Sequence, residues 1–159
     1  TQLLAGIDYP SSWKDTTHIA IIDKDGNVFD STPSGGWIGG SVILAETGIA
    51  MSVRGEQFWL DSTRAAQLRP RSRPRYSLTP SIVLRDDKPF LAIGSPGGDN
   101  QAQANVQIIL NTLIFGMDPQ LAVEAPRFAT QSVENSFFPH NYLPGRLDLE
   151  DGIGKGRGR

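Results

Sequence analysis

The sequence predicts an α+β domain. Three observations carry this: a hairpin signal over residues 17–29, a pair of apolar runs joined by a charged turn over residues 81–93, and one long segment with the apolar spacing of a helix directly after it. At 159 residues, 38% hydrophobic and 20% charged, the chain suits one domain with a modest core.

The first element is Thr17 to Ile22, rich in β-branched residues, followed by Asp23-Lys24-Asp25-Gly26-Asn27 and then Val28-Phe29. Asp25-Gly26 between two such runs marks a tight hairpin turn, which needs positive φ angles. Thr16 therefore heads a hairpin strand. Ser34-Gly35-Gly36 and Gly39-Gly40 form a small-residue loop, and Val42-Ile43-Leu44 and Ile49-Ala50-Met51 read as further short strands. Five arginines between Arg64 and Arg75, interleaved with Pro70 and Pro74, predict a loop rather than a helix.

Ser81 to Leu84 and Phe90 to Ile93 form the second strand pair, joined by Arg85-Asp86-Asp87-Lys88. Gly94-Ser95-Pro96-Gly97-Gly98 ends that pair and opens the helix. Val106, Ile109, Leu110, Leu113 and Ile114 fall at helical spacing, Asp99 or Asn100 supplies a cap, and Gly116 a stop. Asp118-Pro119 starts a second short helix that Pro126 ends. After Phe137 the pattern fades, and the glycine and basic tail from Gly152 to Arg159 is expected to be disordered.

Charge narrows the function. Fifteen lysines and arginines against 17 acidic residues give a net charge of -2, with no overall pull toward nucleic acid or an anionic membrane. The cluster Arg69, Arg71, Arg73 and Arg75 is a local exception. Only Tyr76 lies beside it as a stacking residue, so the cluster reads as a solvated loop lining a site rather than a nucleic-acid surface. Cysteine is absent, which excludes disulfides and thiolate metal sites. No apolar run approaches the roughly 18 residues of a membrane span. The chain reads as soluble, with periplasmic, secreted and cytoplasmic locations all open.

Two places carry chemistry. Asp15-Thr16-Thr17-His18 sets a threonine before a strand. A threonine hydroxyl becomes a useful nucleophile when a base sits beside it, and the commonest base is its own α-amine once it is an N-terminus. Thr16 is internal, so a nucleophilic role requires a cut between Asp15 and Thr16. The second place is Gly94-Ser95-Pro96-Gly97-Gly98, where a strand runs into a helix N-terminus and the Gly97 and Gly98 amides are free to meet an anion. A P-loop lysine and the dinucleotide spacing of glycines are both missing, which leaves an oxyanion, or simply a tight turn.

Taken in order, Asp15-Thr16-Thr17-His18, Asp23-Lys24-Asp25-Gly26-Asn27, Arg73-Pro74 with Ser77-Leu78-Thr79-Pro80-Ser81-Ile82-Val83, Gly94-Ser95-Pro96-Gly97-Gly98 and Ala125-Pro126-Arg127-Phe128 resemble the small catalytic subunit of the γ-glutamyltransferase family, N-terminal-nucleophile hydrolases. The resemblance implies a four-layer αββα sandwich to which this chain contributes part. It also implies autocatalytic cleavage before Thr16 and a large-subunit partner from the same precursor. Residues 1–15 would end that large subunit, 16–150 would form the catalytic domain, and 151–159 the tail; family members continue past Glu150, so the chain is expected to be truncated. Thr16 would be the nucleophile, Ser34 would stand where the family has a threonine near the freed amine, and Gly97 and Gly98 would form the oxyanion hole. No cofactor is implied.

The resemblance places the substrate pocket at Arg54, Gln57, Tyr76, Ser77 and Ser95, and here the chain departs from the γ-glutamyl enzymes. Gly36 stands for an asparagine, Arg54 for a glutamine, Glu56-Gln57 for a pair of aspartates and Tyr76 for a serine, while Ser77 is kept. The carboxylate for a donor's α-ammonium is thus replaced by neutral Gln57, and a cation is added. Such a pocket favours an acyl group ending in a bare carboxylate, such as glutaryl, over γ-glutamyl. Arg54-Gly55 followed by Phe58 is also similar to the acylase-like branch of the family. The bland alternative pairs Arg54 with Glu56 or Asp61 on a solvated edge. A reading of a different kind is an inactive fragment or unprocessed chain that needs its large-subunit partner.

Overall fold

The computed structural model describes residues 16–35 and 41–153. Segment 1–15, Gly36, Gly39-Gly40 and the end of the tail lie outside the described residues. The chain mixes helix and strand, as the sequence predicts. Strand β1 (Ile19–Ile22) pairs antiparallel with β2 (Val28–Ser31) in the register Ile22↔Val28. Gly26 takes φ +83 in the turn, and the Asp23 carboxylate accepts the Asp25 and Asn27 N–H groups and the Asn27 side-chain amide. Those bonds, the Asn27 side chain first, hold the Asp23 carboxyl below the usual carboxylate range.

Strands β3 (Ile43–Leu44) and β4 (Ile49–Ala50) form a minimal ribbon, followed by a 3-10 turn at Arg54–Gln57. Strands β5 (Ser81–Arg85) and β6 (Lys88–Ile93) are longer than the sequence suggests, because Asp86 and Asp87 alone make the turn at φ 51 and 59. The Ser81 N–H donates to Asp30 Oδ2 at 2.8 Å and ties this hairpin to β2. Helix α1 (Asn100–Leu113) ends before Gly116 at φ +66, and α2 (Pro119–Glu124) is capped by Asp118, which accepts the Gln120 N–H. Strands β7 (Phe128–Thr130) and β8 (Leu147–Leu149), which the sequence does not reveal, pair antiparallel. Among the described residues every sheet has two strands.

Helix α1 corrects one expectation. Asp99 is the N-cap residue, but its carboxylate accepts from the Ser136 N–H and hydroxyl instead of capping its own helix. The apolar stripe is only partly covered: Val106, Leu110 and Ile114 are 55%, 43% and 68% exposed, while Ile109 packs against the buried centre and Gln101, Asn105 and Ile108 are buried. The reason is the extended segment Ser77–Pro80, whose backbone needs partners where it crosses the helix. Gln101 Oε1 accepts the Thr79 N–H and the Asn105 side-chain amide donates to the Thr79 carbonyl at 3.0 Å. One turn further round, Gln103 and Gln107 hydrogen-bond to both backbone groups of Thr130 and Phe128, so two side chains of a helix substitute for an edge strand.

The buried apolar centre is small. Ile93, Ile108 and Ala122 form it, with Leu91, Ile109 and Met117 against them. Ile19, Ile21, Ile22 and Phe29 on the first hairpin stay exposed, as do the helix residues above.

The β7–β8 ribbon has an electrostatic clasp. Arg146 holds the Asp148 carboxyl, and the Arg127 backbone N–H and guanidinium hold Glu150, both below the usual carboxylate range. Depressed folded-state values mean stability that is present above the unfolded pKa and lost as pH falls through the folded one. Thermal melting followed from pH 6 to about pH 2.5 is expected to fall as the carboxylates protonate. Asp148→Asn should flatten part of that dependence, and an unchanged profile in the variant would contradict the assignment.

Candidate functional site

Thr16 sits at the mouth of the first hairpin, where it forms an antiparallel bridge with Ser34. The Thr17 N–H donates to the Pro33 carbonyl at 3.0 Å and fixes the register. That register brings the two hydroxyls together, with Thr16 Oγ1 at 2.7 Å from Ser34 Oγ. The Arg54 guanidinium donates to the same Ser34 oxygen. Thr16, Ser34 and Arg54, 38 residues apart in the chain, thus form one hydrogen-bonded line. The solvated pairing of Arg54 with Glu56 or Asp61 is not what forms; Asp61 meets Arg64.

Arg54 also lies over the Phe137 ring, with Cζ at 5.3 Å from the centroid. Its Nε and Nη1 are buried without hydrogen-bond partners. Beside it, Gln57 is fully buried and its amide donates to Ser77 Oγ at 3.2 Å, leaving Gln57 Oε1 a buried acceptor without a partner. Gln57 and Ser77 are thus in contact, with Arg54 on the same 3-10 turn as Gln57. Tyr76 is 63% exposed. Ser95 turns toward the helix and donates to Asn105 Oδ1 at 3.3 Å, so its hydroxyl anchors the glycine loop.

That loop leaves β6 at Gly94. Gly97 and Gly98 take φ +128 and +56, values that favour glycine, and their carbonyls accept the first N–H groups of α1 from Asn100 and Gln101. Among the described residues neither glycine donates its own N–H. A Cβ at Gly98 would lie 3.4 Å from Phe137 Cε2, which links the loop through Phe137 to Arg54 and on to Ser34 and Thr16.

His18 has a fixed task. Its Nδ1 meets Thr32 Oγ1 at 3.3 Å and its Nε2 lies 3.2 Å from Asp30 Oδ1, on a side chain only 2% exposed. With both nitrogens engaged, His18 is not placed to take a proton from Thr16. The imidazole instead packs on Gly94, where the glycine loop begins.

The arginine loop is tied to Glu134 at two points. Arg64 forms a two-pronged pair with Glu134 at 2.7 and 2.9 Å and lies over Trp59, while Arg75 donates to the Glu134 carbonyl. The sequence gives no sign that segment 134–140 belongs to the site. Phe137 and His140 carry it there, and neither falls in a periodic or motif-like run. Among the described residues no group of three metal-ligating side chains forms, and no helix is long and apolar enough to cross a membrane.

Comparison with known proteins points the same way. The family described as Gamma-glutamyltranspeptidase matches residues 4–155. A Bacillus subtilis (strain 168) protein named Glutathione hydrolase-like YwrD proenzyme is 38% identical over 115 residues, covering 72% of this chain and 22% of its own length. Among solved structures, LmbA2991T421A is 36% identical with a TM-score of 0.74, over 86% of this chain and 24% of that one. The gamma-glutamyltranspeptidase from Pseudomonas nitroreducens complexed with L-DON is 30% identical with a TM-score of 0.64, over 72% of this chain and 65% of that one. The chain spans about a quarter of the length of the first curated relatives it matches.

Proposed function

This chain belongs to the gamma-glutamyltranspeptidase family, and we propose that it is the catalytic part of an amidohydrolase or acyltransferase that is cut before Thr16 and works through an acyl-enzyme. The observation that carries the reading is the 2.7 Å contact between Thr16 and Ser34 with Arg54 on the same oxygen. In this reading residues 16–150 form the small-subunit catalytic domain and residues 1–15 end the large subunit.

The chemistry follows from the parts. Once cut, the Thr16 α-amine has an ordinary pKa of about 7.7–8.0, suited to exchanging protons near neutrality. It takes the hydroxyl proton as Oγ1 attacks the amide carbonyl. The resulting oxyanion meets the Gly97 and Gly98 N–H groups, a contribution of about 3–4 kcal/mol per donor to the transition state. The amine passes the proton to the leaving nitrogen, the C–N bond breaks and an ester on Thr16 remains. Water or an acceptor amine then attacks that ester, with the amine again as base. Ser34 holds Oγ1 in line throughout.

Arg54 selects the acyl group. A buried guanidinium with two unpaired nitrogens is unfavourable by roughly 1–3 kcal/mol per orphaned group, and a substrate carboxylate removes that penalty. Neutral Gln57 offers much less to an ammonium than a carboxylate would. The proposed donor is therefore a glutaryl-like amide, with γ-glutamyl amides as poorer ones. A panel of glutaryl and γ-glutamyl anilides tests this: glutaryl should be turned over faster, and Arg54→Gln should lower glutaryl kcat/KM by about a hundredfold, the effect of unpairing a buried charge, while affecting γ-glutamyl less. Much faster γ-glutamyl turnover by the unaltered protein would overturn it.

The exposed apolar residues of the first hairpin and of α1 support assembly with a large subunit, completing the αββα sandwich, because isolated soluble domains rarely leave such faces bare. They equally favour the second reading, in which the chain is inactive until that partner is present. Co-expression with the large subunit should protect backbone amides of β1, β2 and α1 from hydrogen exchange; unchanged exchange there would count against the assembly.

A further inference from the structure

We propose that Phe137 is a specificity-determining residue that sets the length of acyl chain the site accepts; this rests on the acyl-enzyme reading above. The ring lies close to both of the groups an acyl chain has to connect. On one side Phe137 Cε2 is 3.4 Å from the Cβ position of Gly98, whose amide meets the reacting carbonyl. On the other, the Arg54 guanidinium carbon is 5.3 Å from the ring centroid, and Arg54 is the group that meets the far end of the chain. A side chain that borders both groups limits how many methylenes fit.

Residues 135–140 hold the ring there as a strap tied down on both sides of the site. At the helix side, the Ser136 N–H and hydroxyl both donate to the Asp99 carboxylate, with Ser136 only 1% exposed. At the Arg54 side, the Phe138 N–H donates to the Glu56 carbonyl at 3.0 Å, inside the same 3-10 turn as Arg54. Beyond it His140 stacks on Trp59 at 4.0 Å between centroids and 10° between planes, with Nε2 at 3.1 Å from the Phe58 carbonyl. The Phe137 N–H is held by Asn135 Oδ1 at 2.8 Å. The anchored backbone keeps this wall in place and discriminates, because the segment cannot shift for a longer substrate without breaking the Asp99 and Glu56 contacts.

The test uses the processed protein assembled with its large subunit and two anilide series: succinyl, glutaryl and adipyl, and their α-amino counterparts aspartyl, γ-glutamyl and δ-aminoadipyl. Phe137→Ala and Phe137→Leu are compared with the unaltered protein by kcat/KM, with thermal melting as the folding control. Phe137→Ala should raise the ratio of the longest to the middle substrate roughly tenfold or more, the size of one methylene's discrimination in an apolar pocket, with Phe137→Leu in between. Should Phe137→Ala not fold, Phe137→Leu alone must still shift the ratio. Equal losses across all lengths in a folded variant would overturn the proposal and leave Phe137 a structural residue. The two series separate the claims: turnover confined to the α-amino series removes the glutaryl reading, while a length shift within that series still supports Phe137.

Discussion

Thr16→Ala is expected to abolish turnover in the assembled protein, by a factor on the order of 10⁶, the loss that follows removal of a covalent nucleophile from an acyl-transfer enzyme. It should also stop the cut between Asp15 and Thr16, so that intact mass shows the uncut chain where the parent protein begins at Thr16. Both effects have one origin. In the uncut chain the Thr16 nitrogen is an amide without usable basicity, and Oγ1 is the group that would attack the Asp15 carbonyl. Ser34 at 2.7 Å does not replace it, since its oxygen already takes the Arg54 hydrogen bond. Nor does His18, whose two nitrogens face Thr32 and Asp30.

Two controls keep this sharp. Thr16→Ser should restore the cut and a measurable rate, because a hydroxyl on the same Cβ is what the reaction uses. Ser34→Ala should still be cut, with a lowered kcat, because in the proposed mechanism Ser34 orients Thr16 Oγ1 without reacting. Turnover by Thr16→Ala at even a hundredth of the parent rate would sink the nucleophile assignment. So would an uncut chain as active as the cut one.

The hairpins and the glycine loop were legible because each depends on local chemistry. Asp25-Gly26 allows one kind of turn, and Gly97-Gly98 before a helix leaves positive φ and spare amides wherever the fold puts them. Helix α1 was legible as a helix but not in its orientation. Its apolar period says which residues share a stripe, and says nothing of which stripe meets the extended segment at Thr79; two polar residues, Gln101 and Asn105, take that place because backbone groups there need partners. The Phe137 strap was invisible for a related reason. Its position comes from contacts 37 and 82 residues away in sequence, Ser136 with Asp99 and His140 with Phe58, and no periodicity encodes such contacts. Arg54 was legible as a departure in charge, while its convergence on Ser34 required the fold.

Among the described glycines, Gly94→Ala should be the most damaging added methyl. A Cβ there would lie 2.3 Å from His18 Nδ1, 2.5 Å from its Cε1 and 3.0 Å from Thr32 Oγ1, all inside ordinary contact distance. The ring has little freedom to yield. Its Nε2 faces the Asp30 carboxylate, which is almost fully buried and also accepts the Ser81 N–H. Moving His18 costs about 1–3 kcal/mol for overpacking and a similar amount for stripping it of its contacts to Thr32 and Asp30, roughly 2–6 kcal/mol together. For a chain of this size that corresponds to a drop in melting temperature on the order of 10 °C. The decisive comparison is the double variant Gly94→Ala with His18→Ala: removing the ring leaves room for the new methyl, so the double variant should melt above Gly94→Ala alone. A double variant no better than the single would mean that Gly94 matters for its backbone and not for the histidine packed on it. Activity should fall further than stability, because Gly94 begins the loop that ends in Gly97 and Gly98. A shift of that loop under the methyl displaces the proposed oxyanion donors, where an error of about 1 Å costs roughly a hundredfold in rate. His18, two residues from Thr16, therefore acts through the backbone it supports, by keeping the segment that bears Thr16 and the loop that bears the Gly97 and Gly98 amides in one fixed relation.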